Sequence, residues 1–174
     1  DINASDFITF RNLGFEVNTP STTLGRLIWM RNGTINITIE GCRFTGHLNT
    51  AGTTGNSLIY SEPTNSVANV TIRNNTFNNG DYSIWLDGAS VTGSIVCPNV
   101  IIEGNTFRNF FSQGVYVRRY TATRIEKNDI NTTSTNANPV MGINLDNMLN
   151  DMVVVKNRIS FNRAGSGIRV ASNS

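Results

Sequence analysis

Asp87 and Asp146 are the residues of this 174-residue chain whose type and spacing best fit acid–base chemistry. Arg118 lies between them, and Trp85, Tyr116 and Asn144 each precede one of these three by two positions. In inverting glycoside hydrolysis one carboxyl protonates the leaving oxygen and the other activates water, with the two roughly 6.5 to 9.5 Å apart. Rings such as Trp85 and Tyr116 stack on the apolar faces of sugars, while Asn144 and Arg169 take hydroxyls and carboxylates. The other reactive types are thin. His47 is the single histidine, in a Gly/Thr-rich stretch from Thr45 to Gly55, so a triad or a metal site would rest on one unsupported residue. Cys42 and Cys97 show no CxxC or Cys/His spacing.

Composition limits the elements that could position those residues. The chain carries 26 Asn, 20 Thr and 15 Gly but only 4 Pro. Asn and Thr side chains compete with helical hydrogen bonding, Thr, Ile and Val suit strands, and Asn and Gly suit turns with positive φ. A nearly all-β single domain over 1–174 is expected. The net charge of +2 leaves no basic stripe, which argues against nucleic acid, and no apolar run approaches a membrane-spanning length.

Internal repeats supply the order. Ile37 to Phe44, Val70 to Phe77 and Val100 to Phe107 align without gaps, with weaker copies at Ile8 to Phe15, Ile125 to Ile130 and Met152 to Ile159. Anchored on Phe10, Ile39, Ile72, Ile102, Ile125 and Val154, the period averages about 29 residues. A second motif lies between copies: Ser83-Ile84-Trp85-Leu86, Gly114-Val115-Tyr116-Val117, Gly142-Ile143-Asn144-Leu145 and Gly167-Ile168-Arg169-Val170. Less clean copies run from Leu27 to Trp29 and from Ser57 to Tyr60. Each period then forms one coil of a solenoid, in which the Phe15, Phe44, Phe77, Phe107, Ile130, Ile159 column stacks inside. Asn75, Asn105, Asn128 and Asn157 share one position, where amides about 4.8 Å apart form a ladder. The residues before them are Asn74, Gly104, Lys127 and Lys156, and a left-handed backbone suits the first two better than the lysines.

These repeats resemble the right-handed parallel β-helix of the pectate lyase-like superfamily, most closely along Asn69 to Phe77. The resemblance implies a right-handed β-helix of about six coils, with the Ile-x-Leu motif in the first sheet, Val-Thr-Ile in the second and Thr-Phe in the third. It also implies that the first sheet floors a polysaccharide cleft. Alternation then turns Trp85, Tyr116, Asn144 and Arg169 outward in one column, and Asp87, Arg118, Asp146 and Ala171 in the next.

Three functions follow as expectations: a module that binds polysaccharide on the first sheet without catalysis, a polysaccharide lyase or glycoside hydrolase or a fragment of one, and the rigid shaft of an adhesin or phage tailspike. Two coils place the aspartate backbones about 9.6 Å apart, which permits inversion, yet Arg118 between them would hold both ionised and also fits a simple charge ladder. The short loops before the first sheet (Asn78 to Tyr82, Asn109 to Gln113) favour binding, with Thr45–Asn56 and Asn131–Val140 the only stretches able to form walls. No cofactor is expected. Calcium at Asp87 and Asp146 is opposed by Arg118. The second sheet's outward column, Arg11, Glu40, Arg73, Glu103, Glu126 and Val155, reads as surface ion pairing. The chain shows no obvious end caps, so it is expected to be a piece of a longer extracellular or cell-surface protein, its ends covered by missing parts or other subunits.

Overall fold

In a computed structural model of the chain, the described residues are 1–17, 25–47, 53–62, 66–91, 94–95, 97–133 and 139–171. They form a parallel β-solenoid of three sheets. The first sheet holds Ile2–Asn3, Ile28–Arg31, Ser57–Ser61, Tyr82–Asp87, Gln113–Arg118, Val140–Asp146 and Gly165–Ala171 in that order. The second holds Asp6–Arg11, Ile35–Glu40, Ala68–Arg73, Cys97–Glu103, Tyr120–Glu126 and Val153–Val155. The third holds Gly14–Glu16, Arg43–Thr45, Thr76–Asn78, Thr106–Arg108, Asp129–Thr132 and Arg158–Phe161. The six expected coils are present, and Ile2–Asn3 adds a seventh strand to the first sheet. Among the described residues the one antiparallel pair is the hairpin of Ser90–Val91 with Ser94–Ile95. The one helical turn there is Thr54–Asn56, and no helix is long and apolar enough to cross a membrane.

The interior follows from alternation. In the second sheet Ile37 and Ile39, Val70 and Ile72, and Val100 and Ile102 are fully buried, while Thr38, Thr71 and Ile101 between them are half-exposed. Phe15, Phe44, Phe77 and Phe107 stack with 4.9 Å between ring centroids, and Ile130 and Ile159 continue their register. Each ring thereby covers the face of its neighbour, so no single coil must exclude water alone.

The corner between second and third sheets is left-handed in every coil: Asn12, Gly41, Asn74, Gly104, Lys127 and Lys156 all have φ between 54° and 64°. The lysines adopt it despite their side chains, because the registers on both sides fix the backbone. The glycines answer a packing demand. A Cβ on Gly104 would meet Asn74 Oδ1 at 2.6 Å, and one on Gly41 would meet Asn12 Oδ1. Just past this corner Asn75, Asn105, Asn128 and Asn157 form the expected ladder, each Nδ2 donating to the next Oδ1 at 3.0, 3.1 and 2.9 Å. Cys42 occupies the same column one coil earlier, and its backbone N–H donates to Asn75 Oδ1.

Candidate functional site

Strand register brings the predicted residues together on the outer face of the first sheet. Trp85 pairs with Tyr116, Tyr116 with Asn144, and Asn144 with Arg169. The column extends beyond the sequence expectation, because Tyr60 pairs with Trp85 and Trp29 with Tyr60. Four consecutive coils therefore present Trp29, Tyr60, Trp85 and Tyr116 in one file. Each follows an inward Ile or Val (Ile28, Ile59, Ile84, Val115), so that motif position was the signal for the two extra rings.

The file is partly covered. Trp85 and Tyr116 stack at 4.0 Å with 25° between planes, and Tyr82 meets Trp85 edge-on at 4.8 Å. The Arg26 guanidinium lies 3.8 Å from the Tyr60 ring centroid and 4.6 Å from that of Trp29, and the Arg31 guanidinium lies 4.9 Å from that of Trp29. Such contacts favour a cation fixed over an aromatic face. As a result Tyr60 and Tyr116 are buried while Trp29 and Trp85 remain half-exposed. Asn144 is buried as well, donating to Gln113 Oε1 at 3.1 Å and accepting from Arg169 at 3.1 Å. Only Arg169 stands exposed, so the alternation rule gave the direction of these side chains but not their cover.

The charged file sits beside the rings. Asp87 registers with Arg118 and Arg118 with Asp146. Arg118 Nε is 3.2 Å from Asp146 Oδ2, which also accepts the Tyr116 hydroxyl at 3.2 Å, whereas Arg118 stands 3.8 Å from Asp87. The stronger partner of Asp87 is Arg119, whose Nε and Nη2 both donate to Oδ1 at 2.9 and 2.6 Å. Arg119 reaches it from a left-handed backbone with φ 58°, a feature that strand alternation could not reveal. Asp87 is 2% exposed. Burial raises its pKa, against the lowering effect of Arg119 and Arg118, and burial together with the two carboxylates pushes the Tyr116 hydroxyl well above its ordinary value.

This arrangement limits what the aspartates can do. A general acid needs a path to a leaving oxygen, and Asp87 has both arginines and almost no exposed surface. Arg118 occupies the space a calcium ion would need, and among the described residues no group of three His, Cys, Asp or Glu is placed to hold a metal. His47 contributes its backbone carbonyl to Gly80 N–H. The two wall stretches, Thr45–Asn56 and Asn131–Val140, lie partly outside the described residues, at 48–52 and 134–138, as does part of the stretch from Gly88 to Pro98.

On the second sheet the outward column is confirmed in register from Arg11 to Val155. Glu40 bridges Arg11 at 3.0 Å and Arg73 at 3.2 Å. Glu103 pairs instead with Lys127 at 2.8 Å, and Glu126 with Arg124 at 2.7 Å.

Neither the comparison with curated proteins nor that with solved structures returned a match. A family described as "Right handed beta helix region" matches residues 28–174, well over half of the chain, and covers every coil after the first. With its three parallel sheets in continuous register, the chain belongs to the right-handed β-helix family.

Proposed function

We infer that this β-helix is an extracellular module that binds polysaccharide along its first sheet without cleaving it. One observation carries the reading: the unbroken file of Trp29, Tyr60, Trp85 and Tyr116, continued by Asn144 and Arg169. The half-exposed Trp29 and Trp85 of this file offer apolar ring surface to sugars, and the amide and guanidinium at its end suit hydroxyls or a uronate carboxylate. The buried, doubly paired Asp87 favours binding over catalysis.

The test is affinity electrophoresis in gels containing neutral and acidic polysaccharides, run beside reducing-sugar and unsaturated-product assays. Wild-type protein is expected to be retarded by at least one polymer with no product formed. The Trp85→Ala, Tyr116→Ala double variant should fold and lose about tenfold or more in affinity, since each aromatic contact contributes about 0.5 to 1.5 kcal/mol beyond its area. Retardation unchanged in the double variant removes the first sheet as the site. Turnover that Asp87→Asn and Asp146→Asn each abolish would make the chain an enzyme instead.

A further inference from the structure

The second sheet carries a groove of about 500 Å³ on its outer face, and none of its lining residues is charged. One side is a second, outer file of amides. Asn36 Nδ2 donates to Asp6 Oδ1 at 2.7 Å, Asn69 to Asn36 at 2.9 Å and Asn99 to Asn69 at 2.8 Å. An amide offers two N–H donors and a carbonyl with two lone pairs, so Asn36 and Asn69 each keep one donor and one lone pair for a ligand. The other side holds Thr9, Thr38 and Thr71, registered across three coils, and among the described residues no hydrogen bond engages their hydroxyls.

The outer amide file is left-handed in each coil, with φ of 56°, 53° and 60° at Asn36, Asn69 and Asn99. Asn tolerates this conformation. Its first position is instead Phe7, with φ 54° and 81% exposure. A bulky residue held there is a conformational outlier, and its ring gains no burial in return. Strain without packing points to a use outside the fold.

We propose that this groove is a second saccharide site, one that takes a neutral oligosaccharide with Phe7 as its stacking platform. The free amide and hydroxyl groups repeat once per coil, over three steps of about 4.8 Å from Phe7 to Asn99, and hydroxyl-rich rings offer matching donors and acceptors. Over the four coils of the groove the next column holds Arg11, Glu40, Arg73 and Glu103, two of each sign, so it gives an acidic sugar no net attraction. The site is independent of the first sheet.

Phe7→Asn separates function from structure. It places a residue at ease with positive φ and lengthens the amide file, so the variant should melt no lower than wild type. The probes are cellohexaose and maltohexaose as neutral ligands and hexagalacturonate as the acidic one. The readout is the side-chain amide resonances of Asn36, Asn69 and Asn99 in isotope-labelled protein. At least one neutral hexasaccharide should shift those resonances while hexagalacturonate leaves them in place. Phe7→Asn should weaken the Kd about three- to tenfold, and the Trp85→Ala, Tyr116→Ala variant should leave it unchanged. The proposal is overturned if these resonances stay fixed through millimolar concentrations of both neutral probes. It is also overturned if Phe7→Asn titrates as wild type does, or if the first-sheet variant abolishes the shifts.

Discussion

Two asparagine files run along one solenoid with the same coil-to-coil rise, and they differ in what surrounds them. In the inner file Asn75, Asn105 and Asn128 are each 1% exposed. Asn105 donates to Ile72 O at 2.9 Å and Asn128 Oδ1 at 3.1 Å, while its Oδ1 accepts from both the backbone and the side chain of Asn75. In the outer file Asn69 donates once to Asn36 and accepts once from Asn99, with water free to reach the rest. Coil rise alone creates both ladders. Burial decides that the inner amides hold the corner together and that the outer ones remain available to a ligand.

The comparison breaks most sharply at Asn105. Replacement by Leu orphans the buried Ile72 carbonyl and the Asn75 N–H groups at once, and each such group costs about 1 to 3 kcal/mol, so a loss of about 4 kcal/mol is expected in urea titration. Asn157→Leu, at the less buried end of the file, should cost about half of that. Equal and negligible losses at both sites would mean that the inner amides are not a connected ladder.

Charge obeys the same rule as amides. Asp87→Ala removes the buried carboxylate that Arg118 and Arg119 share and leaves Arg119, whose side chain is only 16% exposed, without its acceptor. Breaking a buried pair in this way should cost about 3 kcal/mol by thermal unfolding. A loss below 1 kcal/mol would show that Asp87 is solvated and would reopen it as an acid.

Much of this was legible in the residue order. The Val-Thr-Ile and Ile-x-Leu motifs fixed the strands and their registers, because a period of two with one buried face admits a single alignment. The inner ladder and the phenylalanine stack followed from column identity. Lateral cover was not legible, since the fork of Arg119 onto Asp87 and the seat of Arg26 over Tyr60 join residues from different columns. The outer ladder was missed for a related reason: Asn36, Asn69 and Asn99 sit one residue before the aligned motifs, at left-handed positions that the strand pattern passes over.

The half-buried counterpart of Asp87 is Asp129, which Arg158 and then Arg108 hold down to a pKa of about 2. A carboxyl with a depressed folded pKa adds stability above its unfolded value, near 3.8, and loses it as pH falls through about 2. Arg158 is 77% exposed, so the network lies in the range of surface pairs, about 0 to 1 kcal/mol, and salt weakens it. The gap between wild type and Asp129→Asn should therefore close between pH 4 and pH 2 and narrow in high salt. A gap that widens on acidification would reverse the sign.

A similarly small effect is expected where the comparison turns on a single residue of the outer file. Asn69→Gly keeps the positive φ of 53° without steric cost, so it isolates the amide from the backbone conformation that Ala would also perturb. Two hydrogen bonds vanish, yet Asn36 and Asn99 regain water as a partner, and exchanging a solvated protein bond for one to water is nearly neutral. The added chain entropy of Gly acts in the unfolded state and accounts for most of whatever loss appears. Stability should fall by about 0.5 to 1 kcal/mol in urea titration, several-fold less than for Asn105→Leu. A loss as large as the inner one would mean that the outer amides are sealed from solvent, and they would then have no free donors to offer a sugar.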